Sequence, residues 1–210
     1  MTRITESDSS LMAPEPGALQ VDRSGALRGS TSAYEKFLGD LGGVYLDQDA
    51  YAAAIDELGA ECLVYRVEEH CNVSGPGALI IGTSTLLPGR IGEEYAVTRG
   101  HLHAQADRAE LYYCVNGSGV MLLDTLDGES RAVPLEPGDA CHVPGNWVHR
   151  SVNVGDGPFV TLFCYAADAG QNYSIIEDAG GMAQIVVVDP AKGWAPRPNP
   201  RHVGYKGRRL

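Results

Sequence analysis

The sequence predicts an all-β fold, an antiparallel sandwich or barrel, and three observations carry that expectation. Short apolar or alternating runs recur along the chain and are separated by Gly, Pro, Asn and Asp turns. The 210 residues include 26 Gly and 12 Pro, a content that suits a turn-rich sheet protein better than a helical one. One run, Glu110 to Val115, alternates Glu110, Tyr112 and Cys114 on one face with Leu111, Tyr113 and Val115 on the other. A carboxylate and a phenol turned inward together need partners, so that face is expected to line a site rather than a plain core.

Taken in order, residues 1–20 are rich in Ser, Thr, Pro and acidic side chains without periodicity and read as a disordered tail. The remainder, 21–210, is long enough for one sizeable core and short for two, so a single domain is expected. A strand or two precede Ser32 to Leu38. Asp47 to Leu58 has an acidic start, alanines and Gly59 as its stop, the pattern of a short helix. These N-terminal pieces are expected to support the barrel from outside. Cys62 to Val67 and Leu79 to Leu87 read as strands, the second ended by Pro88 and Gly89, and Tyr95 to Thr98 leads onward. After Glu110 to Val115, Asn116-Gly117 is a hairpin signal. Asp127-Gly128, between Met121 to Thr125 and Arg131 to Leu135, is a second. Pro137-Gly138 turns the chain before Ala140 to Val143, and Phe159 to Tyr165 and Ile185 to Val188 finish the set.

The formal net charge of −11 argues against nucleic acid or an anionic membrane surface as a partner, because polyanions are bound by basic patches. An anionic small substrate would have to be held by local donors against that field. Cys62, Cys71, Cys114, Cys141 and Cys164 form no Cys-x-x-Cys pair and fall mostly in apolar runs, where free Cys behaves as a small hydrophobe. Neither a signal-peptide core nor a membrane span stands out, and the expected location is the cytoplasm.

The chemistry concentrates between Gly100 and Gly119. His101 and His103 are two apart, so on a strand both imidazoles face one way, and Glu110 follows a six-residue polar loop long enough to bring a second strand beside the first. His149 is the candidate fourth ligand. Three imidazoles and a carboxylate suit one divalent ion, Fe(II), Mn(II), Ni(II) or Zn(II), since no thiolate is offered at matching spacing. His70, His142 and His202 are read as structural or solvent-facing.

At these residues the chain resembles the cupin superfamily, whose fold is a double-stranded β-helix or jelly-roll barrel. Gly138, Pro144, His149 and Asn153 fit the spacing of its second motif, and His101, His103, Glu110 and Gly117 fit the first, although Tyr95 stands where a glycine is expected and the loop before Glu110 is long. That loop resembles one branch, the cupin-type glucose-6-phosphate isomerases. The shared segments are Thr98 to His103, Asp107 to Tyr112, Trp147 to Asn153 and Tyr165 to Gly170, within a likeness spanning roughly residues 25 to 205.

The resemblance implies a homodimeric enzyme that interconverts glucose 6-phosphate and fructose 6-phosphate, a step of glycolysis and gluconeogenesis, with Fe(II) as the first expectation for the metal. Hydrogen would move between C1 and C2 either as a proton through a cis-enediol, with Glu110 as base, or directly as hydride. Tyr65, Tyr112 and Tyr165 would order sugar hydroxyls or relay protons. Ser84, Thr98 and the Gly100 amide match positions that hold the phosphate, with Arg99 adding charge. The pattern breaks at Gln171, where the family carries His, and at Asn172, where it carries Asp. An amide cannot titrate, so another phosphorylated sugar or small hydroxy-carbonyl substrate stays open. So do an Fe(II)-dependent cupin oxygenase and a non-catalytic sugar-binding protein, since fold alone does not fix chemistry.

Overall fold

In the computed structural model, residues 15–72, 75 and 77–205 are described. Residues 1–14 of the expected tail lie outside them; 15–19 carry no regular structure, and Gln20 opens the first strand. The chain runs β1 (Gln20–Val21), β2 (Leu27–Arg28), β3 (Ser32–Phe37), a 3-10 turn (Leu38–Leu41) and α1 (Gln48–Leu58). It continues through β4 (Leu63–His70), β5 (Leu79–Leu86), β6 (Arg90–Ile91), β7 (Glu94–Tyr95), β8 (Leu102–His103) and β9 (Glu110–Asn116). Then come β10 (Gly119–Thr125), β11 (Ser130–Leu135), β12 (Ala140–Val143), β13 (Trp147–Asn153) and β14 (Phe159–Ala166). The last elements are β15 (Gln171–Asn172), α2 (Ser174–Asp178), β16 (Gln184–Asp189) and β17 (Gly193–Pro198).

The expected all-β cupin jelly roll is what these strands build. A six-stranded sheet in the order β12-β9-β14-β5-β4-β3 and a three-stranded sheet, β11-β10-β13, carry the core between them. Short β15-β8 and a four-stranded β17-β16-β7-β6 complete the barrel, and all pairings are antiparallel. Leu86, Val120, Met121, Leu122, Leu135, Val148, Val152 and Phe159 are almost fully buried, and their removal from water is the main drive to fold. β9 alternates as its sequence implies, with Glu110, Tyr112 and Cys114 buried and Leu111 and Tyr113 exposed.

The helix α1 starts where Asp47 accepts the Ala50 amide at 2.8 Å, an N-cap, and ends where Gly59, at φ +86°, donates to Ile55. None of its residues is fully buried, which fits an outer support.

Two expectations are corrected. Asn116-Gly117 does not close a hairpin: β9 pairs with β12 and β14, β10 with β11 and β13, and the chain crosses there between the two sheets. Glycine is required because φ is +79° and a Cβ would lie 2.3 Å from the Pro158 carbonyl oxygen. Likewise β8 does not pair with β9 but with β15, so the two histidines and Glu110 meet across the barrel rather than on adjacent strands. Residues 147–153 form β13, paired with β10 at the end of the three-stranded sheet, and Gly193–Pro198 forms an unexpected edge strand that includes Pro196 and Pro198. Prolines are tolerated at such an edge because no ladder hydrogen bond is needed on the outer side.

Candidate metal centre and substrate cavity

His101 and His149 sit directly opposite each other, joined by a reciprocal pair of backbone hydrogen bonds of 3.0 and 2.9 Å. Directly opposed residues of an antiparallel pair share a face, and the two rings lie 4.4 Å apart between centroids. His103, two residues on, falls on that face, 5.3 Å from the His101 ring. Glu110 enters at the start of β9, and its Oε2 lies 3.2 Å from His103 Nε2 and 3.0 Å from His149 Nε2. One donor atom from each of the four residues falls within 4.8 Å of all the others.

The orientation of the rings is fixed from behind. His103 Nδ1 meets the Arg108 carbonyl at 2.8 Å and His149 Nδ1 meets the Trp147 carbonyl at 3.0 Å. A carbonyl only accepts, so each Nδ1 carries the proton and each Nε2 turns a lone pair inward. The carbonyl of Arg108 is itself held, because its guanidinium grips Asp168 through Nε at 2.9 Å and Nη2 at 2.7 Å. This two-pronged pair ties the Asp107 to Glu110 segment to the Tyr165 to Gly170 segment, which gives the long loop before Glu110 a structural purpose.

Burial pushes the His101 pKa well below its ordinary value. Burial acts the same way on His103, but Glu110 and the Arg108 carbonyl outweigh it and the pKa rises. Burial alone would raise Glu110, yet the adjacent His103 and His149 hold its carboxyl at about 2. His101 Nε2 is buried without any hydrogen-bond partner. A sequestered lone pair facing a carboxylate-bearing cluster of nitrogen and oxygen donors is what a divalent cation would satisfy, and the donor set fits one.

The cluster opens into a cavity lined also by Tyr65, Ser84, Thr98, Gly100, Tyr112, Tyr165 and Gln171, so the structure brings all the residues proposed from sequence except Arg99 to this one region. Tyr112 follows Glu110 on the inner face of β9, its ring 5.9 Å from His149, and burial and then Glu110 push its pKa well up. Tyr165 lies opposite Glu110 in the ladder and donates its hydroxyl to Glu69 Oε1 at 3.2 Å. Burial pushes Tyr65 up to about 12. Thr98 Oγ1 accepts the Ser151 amide at 3.1 Å, which leaves its hydroxyl proton available to a ligand. Gly100 has φ +73°, and a Cβ there would come 2.9 Å from the His149 carbonyl oxygen and 3.0 Å from Arg150 Cβ, so glycine is demanded by strand approach as well as by any ligand.

Arg99 is turned away from this cavity; it pairs with Glu177 and stacks over Tyr173 at 4.8 Å. Gln171 pairs in the ladder with His103, and its side-chain oxygen accepts the Tyr173 hydroxyl. Tyr34, Glu69, Arg150, Ser151 and Tyr173 also line the cavity and were not singled out from sequence. Tyr34 and Glu69 come from β3 and β4, far from either motif, and only Ser151, two residues past the inward-facing His149, was open to discovery by alternation.

The family model described as glucose-6-phosphate isomerase matches residues 35–202. The chain is 48% identical over 181 residues to the glucose-6-phosphate isomerase of Sinorhizobium medicae (strain WSM419), covering 86% of this chain and 84% of that protein. It is 46% identical to putative glucose-6-phosphate isomerase 1 of Rhizobium meliloti (strain 1021), covering 89% and 87%. Over 79% of this chain and 86% of the relative, it is 40% identical to the glucose-6-phosphate isomerase of Thermococcus onnurineus (strain NA1).

Proposed function

The chain belongs to the glucose-6-phosphate isomerase family and is an isomerase, and from that premise we propose that it interconverts glucose 6-phosphate and fructose 6-phosphate with one divalent ion per chain on His101, His103, Glu110 and His149. One observation carries this reading: the four-residue cluster and the hydroxyl and glycine positions Ser84, Thr98 and Gly100 open onto the same cavity. An ion bound there, with Fe(II) the first expectation and Mn(II), Ni(II) or Zn(II) sharing the same donor preference, supplies Lewis-acid polarisation of the carbonyl and hydroxyl oxygens at C1 and C2.

The protein's own groups do the rest. Ser84, Thr98 and the Gly100 amide hold the phosphate as neutral donors, and Tyr65 closes that end. Tyr112, kept protonated by burial, donates a hydrogen bond to a sugar oxygen, and the Tyr165 hydroxyl, whose proton goes to Glu69, accepts one from a sugar hydroxyl. Hydrogen passes between C2 and C1 either on the Glu110 carboxylate, through a cis-enediol, or directly as hydride.

Chelator-stripped protein reloaded with Fe(II), then assayed on fructose 6-phosphate in heavy water, tests each part. Activity is expected only after reloading, and deuterium in the product marks the Glu110 route. Loaded protein that isomerises no hexose or pentose phosphate would overturn the reading. Gln171 favours one second reading, another phosphorylated sugar, and the same panel decides it.

The likeness also supports a homodimer, to which the neighbouring exposed side chains Leu111 and Tyr113 on the outer face of β9 would contribute. Cys62, Cys114, Cys141 and Cys164 are thiols and not disulfides, which fits the reducing cytoplasm. Among the described residues no helix is long and apolar enough to cross a membrane.

A further inference from the structure

Beside the substrate cavity lies a second cavity, of about 270 Å³, bordered by Gly43, Arg99, Arg150, Ile176, Gly181 and Arg201. Arg150, between His149 and Ser151 on β13, borders both cavities. Arg150 is only 5% exposed. One of its donors, Nη2, reaches the Arg99 carbonyl at 2.7 Å, while its Nε is buried with no partner. Arg201 repeats the arrangement: Nη2 serves the Tyr45 carbonyl at 2.7 Å and the Gly43 carbonyl at 3.3 Å, and Nε is again buried without a partner.

A guanidinium carries five donors and a permanent charge, and taking it out of water is costly unless an anion or a full set of acceptors compensates. Among the described residues no carboxylate lies within ion-pair distance of Arg150 or Arg201, whereas Arg99 on the same cavity has Glu177. Glu94 also acts on both arginines through its field, but its carboxylate receives the Leu46 amide at 2.5 Å. The phenols of Tyr45 and Tyr205 face Arg150 as neutral groups. A cavity with one buried cation, Arg150, and one half-buried, Arg201, each holding a buried and unused Nε donor, therefore stands inside a chain whose net charge is −11.

We infer that this cavity is a second anion site, adjoining the substrate cavity at Arg150, that takes a free oxyanion of the phosphate type between Arg150 and Arg201. Two guanidiniums presenting planar donor arrays match the tetrahedral oxygens of such an ion. The site goes beyond the isomerase reading and does not require it. It bears on the substrate cavity nonetheless, because Arg150 holds the carbonyl of Arg99, between Thr98 and Gly100 on the wall proposed to receive the substrate phosphate.

The test uses the full-length protein. Crystals soaked in selenate are expected to show an anomalous scattering peak between the Arg150 and Arg201 guanidiniums. Calorimetric titration with inorganic phosphate is expected to resolve two sites. Arg201→Gln should weaken one of them by ~10-fold or more, as for loss of a charge-assisted hydrogen bond, and Ser84→Ala with Thr98→Val should weaken the other. Selenate found only in the substrate cavity, or nowhere, overturns the inference even if the Arg201 variant fails to fold. A single phosphate site that Arg201→Gln leaves unchanged overturns it as well.

Discussion

The two ends of the substrate cavity are built on opposite electrostatic plans. At the ligand end three imidazoles and a carboxylate are packed so that one donor atom of each lies within 4.8 Å of the others, each ring steered from behind by a backbone carbonyl or strand pairing. At the end proposed to take the phosphate the lining is hydroxyl, phenol and backbone, from Tyr65, Ser84, Thr98 and Gly100, with the buried guanidinium of Arg150 among them, and Arg99 points elsewhere. On that proposal the contrast teaches how an acidic protein can receive an anionic substrate. Carboxylate and imidazole donors are concentrated where an ion would be held, and neutral donors with one buried cation, Arg150, would direct the phosphate.

The sharpest way to break the comparison is at the ligand end. His149→Ala removes one of four donors and the partner of His101, so metal content should fall to near zero. Activity should drop by ~10³-fold or more, the equivalent of losing several kcal/mol of charge stabilisation. Elemental analysis and turnover on the same sample check it, and wild-type metal content in the variant would dismiss His149 as a ligand. At the other end the double substitution Ser84→Ala with Thr98→Val should act on KM, raising it ~10²-fold or more at nearly constant kcat, because each lost hydrogen bond to a charged group is worth about 1.5 kcal/mol or more. Equal losses in kcat would place those hydroxyls in the chemistry instead.

The two ends should also separate in their response to pH. His103 binds its proton more tightly than an ordinary histidine because Glu110 is beside it, and a ligand nitrogen must give that proton up. Metal affinity should therefore fall as pH drops through and below the raised His103 pKa, by up to ~10-fold per unit, starting above the usual ~6.5. Glu110, held at about 2, stays ionised throughout that window. Competition with a chelator at fixed free metal, at ~pH 6 and ~pH 8, measures it, and equal affinities would exclude imidazole ligation.

Much of the ligand end could be read in the sequence because its members come from two compact motifs, in which strand alternation fixes the direction of His101, His103 and His149. The barrel class was legible for a similar reason, from turns and alternation. What escaped was long-range. Tyr34, Glu69 and Tyr173 reach the cavity from β3, β4 and the segment before α2, and no local spacing marks residues that meet only through sheet order. The Asn116-Gly117 misreading has the same origin: a local turn signal cannot tell a hairpin from a crossing between sheets, and the approach of Pro158 decides it here.

Arg108 tests whether exposed charge can matter at the buried end. Its pair with Asp168 is solvent-accessible, and such pairs add little to stability. Its carbonyl, however, orients His103. Arg108→Ala should leave thermal stability close to wild type while weakening metal binding by ~10-fold, the scale typical of groups that orient ligands. Unchanged metal affinity would reduce the clamp to a loop tether.

The smallest effect is expected at Gln171, which stands between the two ends. Its side chain accepts the Tyr173 hydroxyl and borders the cavity, so it can direct a sugar hydroxyl but cannot move a proton. If hydrogen transfer is complete without position 171, Gln171→His should change kcat/KM on fructose 6-phosphate by no more than a few-fold. General acid or base help, where it is used, is worth ~10²- to 10⁴-fold. A gain on that scale would mean that the wild-type enzyme works on this substrate without a group its chemistry requires. It would point to a different phosphorylated sugar, one whose hydroxyl the amide reads as donor and acceptor together. Loss of activity on that second sugar in the same variant, measured as kcat/KM, would then assign the specificity of the cavity to Gln171 and its contact with Tyr173.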